Sequence, residues 1–363
     1  MKKGIKLDRQ TLEYAVMGGC ILGGGGGGDM TKGLAAGKVA VDYADLYLYD
    51  INEMKGSDII VCASAVGAPK APMQYYTPRD AVRSMELFME NSGEKVCGII
   101  SNENGGIASV NGWMQAAVLG IPLIDAPCNG RAHPTGVMGS LCLHKDHDYI
   151  SLQACCGGNA EAGRYIECFF SGTVDRCATL VRAASVEAGG MVYVARNPVT
   201  AEYVKQNAAI GGLSHAIETG RVFKQGLERS PGDAVRAVAD FVGGEIFAKE
   251  KVREFHIKTE GGFDVGIAKI GDMELTFWNE YMTLDSPDKR IATFPELIMT
   301  FDAISGQPLT TAQMEQGQEV YIMTAPMSAM KLSSTMYETE LLQQVEGIVN
   351  KELVKHLPAC KVQ

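Results

Sequence analysis

A chain of 363 residues is too long for one small core and suits two domains of ordinary size. With 46% hydrophobic and 21% charged residues it is composed like a folded globular protein, which excludes disorder. A net charge of -10 without any Lys/Arg-rich run excludes nucleic acid and anionic membrane as partners and leaves small molecules.

The start, MKKGIKLDRQ, is charged but has no apolar stretch behind it, and no run of roughly 18 apolar residues occurs anywhere. A soluble, cytoplasmic protein is expected. The 10 cysteines are scattered, and no two form a Cys-x-x-Cys pair, so most read as small buried hydrophobes. His144-x-x-His147 and Cys155-Cys156 lack zinc spacing, which leaves no metal ligand to name; a divalent ion such as zinc could be held only by long-range convergence.

Asp8 to Gly19 reads as a helix capped by Asp8, with Leu12, Ala15 and Val16 on one face. It runs into six consecutive glycines, Gly23 to Gly28, closed by Asp29. Glycine loses much entropy on ordering, so such a run needs a return: a bare loop whose backbone approaches a ligand or another segment closely. Gly25, Gly26, Gly27 and Asp29 are therefore candidate substrate-binding residues. A dinucleotide fingerprint is contained in the run trivially, but a strand should precede it and a helix does, so NAD is not expected.

A second helix, Asp29 to Ala40, leads to strands at Ala44 to Tyr49 and Asp58 to Ala65, and Thr77-Pro78-Arg79-Asp80 starts a helix reaching about Asn91. Strands at Lys95 to Ser101 and Ile121 to Asp125 follow, with a helix ending at Gly120 between them. Apolar strands joined through helices predict an α/β domain with a mostly parallel sheet covered by helices on both faces. Two β-like runs fall between Asp148 and Ser171, then helices at 174–188, 201–207, 212–224 and 231–242. From Gly244 the pattern becomes antiparallel β, with strands at 252–258, 265–270, 273–278, 297–301 and 319–323. An amphipathic helix, Thr339 to His356, ends the chain and packs on its own chain or on a subunit partner. The organisation expected is an α/β N-terminal domain over 1–170, a mainly helical continuation over 171–243, a β-rich C-terminal domain over 244–335 and the tail helix over 336–363.

Ligands of open parallel sheets bind beyond the carboxyl ends of the strands. Three polar loops lie there: Gly67-Ala68-Pro69, Glu103-Asn104-Gly105-Gly106, and Asp125 to Pro134. Gly67, Asn104, Gly105 and Gly106 offer backbone and amide donors to a substrate. Asp125 ends a buried strand and needs a cation or donor, for which Arg131 is the obvious choice. Cys128 near His133 could make a thiolate nucleophile, since an imidazolium lowers a thiol's pKa. Glu103, Asp125, Cys128, Arg131 and His133 are the catalytic candidates, expected to share one cavity under the glycine run.

The order of these segments resembles the S-methyl thiohydantoin desulfurase-like family. The resemblance rests on Leu22 to Asp29, Gly67-Ala68-Pro69, Glu103-Asn104-Gly105-Gly106, Ala116-Ala117 with Leu119-Gly120-Ile121-Pro122, Asp125-Ala126, and Gly130-Arg131-Ala132 with Pro134. It continues through Trp278-Asn279-Glu280 and Phe294-Pro295-Glu296-Leu297-Ile298. It implies a bacterial cytoplasmic protein with a β-rich C-terminal domain and, for one branch, hydrolytic removal of methanethiol from a cyclic thioimidate. The chain departs from the family pattern at Pro127 and Thr135, where acids are usual, and at His133, where an aromatic is usual. Hydrolysis of a hydantoin-like heterocycle is the first expectation, with Glu103 or Asp125 as base, Arg131 and the glycine-run N–H groups stabilising charge, and His133 as acid or orienting group. A non-catalytic accessory subunit of a hydantoin-type pathway and a nucleotide-dependent enzyme are the alternatives, and a homo-oligomer is expected.

Overall fold

The computed structural model describes residues 4–68, 71–75 and 77–357; Pro69, in the first of the three polar loops, lies outside the described residues. The first half of the chain runs β1 (Ile5–Leu7), α1 (Arg9–Gly23), α2 (Met30–Tyr43), β2 (Leu46–Tyr49), β3 (Ile59–Gly67), α3 (Pro78–Ser92), β4 (Val96–Ser101), α4 (Trp113–Leu119) and β5 (Leu123–Ile124). It continues with β6 (Ser151–Gly157), β7 (Ile166–Gly172), α5 (Val174–Glu187), β8 (Met191–Thr200), α6 (Ala201–Asn207), α7 (Gly212–Leu227) and α8 (Pro231–Val242). Asp8 caps as expected, accepting from Thr11 N, and Thr77 with Asp80 forms a reciprocal capping box; Asp29, expected only at the start of its helix, also caps it by accepting from Lys32 N.

These strands form one sheet in the order β1-β2-β5-β4-β3-β8-β6-β7. Neighbours among β2, β5, β4 and β3 are parallel, as the apolar runs predict, and β1, β8, β6 and β7 add antiparallel strands at the two ends. Both faces are covered. Val61, Ala63 and Ile99 pack with α1, α3 and α4 on one side, while Ile60, Cys62 and Ile100 pack with α6 and the tail helix region on the other. That double burial is why the strand sequences do not alternate.

The sequence reading passed over β8. Its run carries Arg196, Asn197 and Pro198, which resemble a loop, yet it pairs with β3 from Ile59↔Thr200 to Gly67↔Met191. The register shifts opposite Ile60 to Cys62, and Asn197 takes a φ of 56°, so a bulge absorbs the polar segment without ending the strand.

The second half is an antiparallel sheet: β9 (Glu245–Glu260), β10 (Phe263–Ile270), β11 (Met273–Trp278), β12 (Glu280–Asp285), β13 (Arg290–Thr293), β14 (Leu297–Asp302), β15 (Pro308–Leu309) and β16 (Glu319–Ala325). Its order is β13-β12-β11-β10-β9-β16-β14-β15. β11 and β12 reverse around Asn279, at φ 57°, so that Trp278 pairs directly with Glu280. The last helix, α9 (Thr339–Val349), packs on β10 and β11 of its own chain. It stops seven residues short of the expected His356, because Asn350 turns left-handed and Glu346 Oε1 accepts from Leu353 N and Val354 N, folding Leu353 into the core. Among the described residues no helix is long and apolar enough to cross a membrane.

The first helix runs to Gly23, four residues beyond the expected Gly19, and packing explains it. A Cβ on Gly18 would sit 1.8 Å from the Ala216 carbonyl oxygen and one on Gly220 would sit 1.9 Å from that of Tyr14, so α1 and α7 touch backbone to backbone. Beyond Gly23 the run is clamped rather than loose. The Gly24 and Gly25 carbonyls accept from Tyr281 N and Thr311 N of the second half, both at 2.8 Å, and the Gly27 carbonyl accepts from Ile107 N and Ala108 N at 2.9 and 3.0 Å. Side chains have no room here: a Cβ on Gly26 would lie 2.1 Å from Glu280 Oε1, and one on Gly27 would lie 2.4 Å from Gly105 Cα. Gly18→Ala should therefore lower stability by about 1–3 kcal/mol, overpacking outweighing the roughly 1 kcal/mol that alanine gains in a helix. Urea unfolding measures this, and an unchanged or raised midpoint would contradict the helix contact.

Candidate functional site

Where the ends of β3 and β4 meet β8, α5 and the β11–β12 reversal, a cavity of about 270 Å³ opens. Glu103 and His133 line it from the loops after β4 and β5, Arg182 from α5, Arg196 from β8, and Asn279 and Glu280 from the second sheet. Gly27, Asp29 and Gly67 also line it. The structure thus brings together five residues named from sequence: Gly27, Asp29, Gly67, Glu103 and His133.

The others lie outside the cavity lining, each with a structural partner. Asp125 is not paired with Arg131; it accepts from Leu213 N and Ser214 N at 2.8 and 3.2 Å, capping α7, and burial raises its pKa despite those bonds. Arg131 is fully buried, donates to the Tyr281 carbonyl at 2.7 Å and to the Glu296 carbonyl, and stacks over Phe294 at 4.6 Å. Burial lowers it to about 9, still far above neutral, and its work is to tie the two halves together. Asn104 donates to the Gly130 and Gly212 carbonyls, while Gly105 and Gly106 back onto Gly27 and Gly28. Gly25 and Gly26 face Tyr281 and Glu280.

Cys128 does not form the expected thiolate pair. Contact with Cys62, then burial, holds its thiol well above the ordinary range. His133 supplies no imidazolium either, because burial and then Arg196 pull it down to about 3. His144 is also remote, held between Ser140 and Glu340.

Within the cavity the acids are the unusual feature. Burial pushes Glu103 up to about 8, against the opposing effects of the His133 N–H, Arg196 and Arg182. Burial and then the charge of Glu103 hold Glu280 well above the usual carboxylate range, and Glu280 Oε2 is buried without a partner. Both carboxyls thus hold their protons more tightly than ordinary carboxylates, and the second proton leaves less readily once the first has gone.

The guanidiniums are unusual as well. Arg182 donates only to carbonyls, those of Gly67, Gly262 and Pro134, at 2.9, 2.9 and 3.1 Å. Arg196, 2% exposed, donates to Asn102 Oδ1 at 2.5 Å and leaves its Nε unpaired. A buried cation without a carboxylate bond, as Arg196 is, costs on the order of several kcal/mol to hold, and the half-buried Arg182 less. They also disfavour a metal cation beside them, and among the described residues no group of three or more His, Cys, Asp or Glu side chains is placed to hold one.

Sequence reasoning missed Arg182 and Arg196, and used Glu280 only as part of a resemblance. The signal was present: Arg196 stands alone in the apolar run MVYVARNPV and Glu280 in LTFWNEYMTL, and a lone charge in a buried strand needs a reason.

The class of protein is one with an α/β half and an antiparallel β half, each contributing an acid to the lining of one cavity at their junction. Two family models match: S-Me-THD-like, N-terminal domain, over residues 10–162, and S-Me-THD-like, C-terminal domain, over residues 173–338. The chain belongs to the S-Me-THD-like family. The crystal structure of a protein from Chromobacterium violaceum has a similar fold, with a TM-score of 0.69 at 18% identity, covering 95% of this chain and 96% of that one. No curated protein matches the chain.

The raised carboxyl of Glu103 makes stability depend on pH. In the unfolded chain it titrates near 4.3, so between there and its folded value of about 8 the native state holds a proton the unfolded state has lost. Stability from this group is complete at low pH and is lost as pH rises through that window. Glu103→Gln should therefore gain in Tm over the parent chain as pH increases from about 5 to about 8. Thermal melts across pH measure the difference, and parallel curves would contradict the burial of a protonated Glu103.

Proposed function

We propose that this protein is a hydrolase of small cyclic amides or thioimidates of the S-methyl thiohydantoin kind, acting in the cavity between its two halves. The observation that carries the reading is the pair Glu103 and Glu280, two buried acids from different sheets lining one cavity, with environments that separate their proton affinities. Such a pair supplies a base and an acid at once.

Glu103 gives up its proton first and serves as base; Glu280 keeps its proton and serves as acid. Water attacks the ring carbon that bears the S-methyl group, and the carbon–oxygen bond forms as a water proton passes to Glu103. The carbon–sulfur bond then breaks, the departing methanethiolate takes the proton of Glu280, and the second water proton passes from oxygen to the ring nitrogen, leaving a ring amide and methanethiol; return of the proton from Glu103 to Glu280 restores both acids. Arg182 and Arg196 line the cavity and are available to stabilise negative charge developing on the ring. The glycine run follows a helix rather than the strand a dinucleotide fingerprint needs, which disfavours a nucleotide.

Incubation with an S-methyl thiohydantoin and detection of released thiol tests the proposal. Turnover is expected to rise with pH through about 8 as Glu103 ionises, and to fall by about 10²–10⁴-fold in Glu103→Gln and in Glu280→Gln. Absence of thiol release, or variants as active as the parent, would overturn it.

A further inference from the structure

We infer that Arg196 and Asn102 are positioning residues that fix the tautomer of His133, and with it the place of the proton shared between His133 and Glu103. The catalytic consequence rests on the hydrolytic reading above; the geometry does not.

Asn102 follows the last residue of β4 and is anchored by its backbone, its N–H donating to the Ala63 carbonyl and its carbonyl accepting from Asn129 N, both at 3.0 Å. Its amide can point two ways, and Arg196 decides between them. A guanidinium can only donate, so the atom 2.5 Å from Arg196 Nη2 must be the oxygen. The amide nitrogen is then turned toward Glu103 Oε2 at 3.0 Å and His133 Nε2 at 3.3 Å, and it can only donate. On the far side of the ring, Nδ1 lies 2.9 Å from the Thr135 carbonyl, which can only accept. The Asn102 carbonyl is a second acceptor beside the ring, but the form that suits both the Asn102 amide nitrogen and the Thr135 carbonyl has the proton on Nδ1 and the lone pair on Nε2.

That lone pair is 3.2 Å from Glu103 Oε2. An ionised carboxylate there would meet it with like charge, whereas a carboxylic acid can donate to it. The order of influence runs from Arg196 through Asn102 to His133, and then to Glu103. Arg196 is buried at 2% exposure with its guanidinium on the Asn102 amide oxygen and beside the Cys62 thiol, rather than on a carboxylate. The charged and titratable groups facing Glu103 are Cys62 of β3, Cys128 and His133 of the segment after β5, Arg182 of α5, Arg196 of β8 and Glu280 of β12. Of these, Arg196 is the one that both favours the ionised acid and orients the amide.

Imidazole ¹⁵N spectroscopy of the full chain tests this without any substrate, the His133 signals being assigned by their loss in His133→Gln. Near neutral pH the parent protein should show a neutral His133 protonated at Nδ1. Asn102→Asp, nearly unchanged in size, replaces the donor with an acceptor and should move a proton onto Nε2. Arg196→Met should give a mixture of tautomers, and Arg196→Lys should restore the parent form. A His133 that stays Nδ1-protonated in folded Asn102→Asp overturns the inference, as does a parent protein protonated at Nε2. Thiol-release assays add a second readout: in Arg196→Met the rise of rate with pH should shift upward by roughly one unit or more, where a merely structural role would lower the rate equally at every pH. A parent protein without turnover counts against the hydrolytic reading alone, since the spectra still decide the tautomer.

Discussion

The clamp on the glycine run is the constraint on which the rest of the molecule depends. Its carbonyls are claimed from one side by Tyr281 and Thr311 and from the other by Ile107 and Ala108. The second sheet is thereby held against the loop that carries Glu103. Each glycine ordered in this way costs roughly 0.5–1 kcal/mol more than alanine would. The missing Cβ atoms are what let Glu280, Tyr281 and Gly105 come so close. Arg131 strengthens the same junction from below, with its guanidinium on the Tyr281 and Glu296 carbonyls and its face on Phe294.

Holding the sheets together creates the electrostatic problem that defines the cavity. Glu103 comes from the first sheet and Glu280 from the second, and neither is compensated by a direct ion pair with Arg182 or Arg196. The guanidiniums spend their donors on carbonyls and an amide, and the acids keep their protons instead. A direct Arg–Glu pair would have satisfied both charges and held each acid in its ionised form. Leaving them apart keeps acids that can exchange protons near neutral pH, at some expense in stability. Asp125 stands apart from the cavity lining, with its carboxylate accepting from the N-terminus of α7.

Much of the architecture was legible because local signals agreed with the fold. Asp8, Asp29 and the Thr77-Pro78-Asp80 box marked helix starts that the structure retains, and apolar runs marked the parallel strands. Two kinds of feature escaped. β8 hid behind Arg196-Asn197-Pro198, since a bulge can carry residues that would otherwise end a strand. The tail helix was read too long, because nothing in its spacing shows that Asn350 will turn left-handed and Glu346 will catch the two N–H groups beyond it. In the site, residues adjacent in sequence were read as adjacent in function. The loop Asp125 to Pro134 sends its side chains in different directions: Asp125 to α7, Cys128 to Cys62, Arg131 to the second half, and His133 with Pro134 to the cavity. Glu103 and Glu280 meet across 177 positions of sequence, a distance no periodicity spans.

The tight reversal at Asn279 has a consequence for how such a protein can change over time. It places Glu280 at the first position of its strand, facing a cavity whose other wall belongs to the opposite half of the chain. Neither half is a module that could be transplanted with its chemistry intact. An exchange of one half alone would change one wall of the cavity and leave the other, so the two walls have to match each other across the seam.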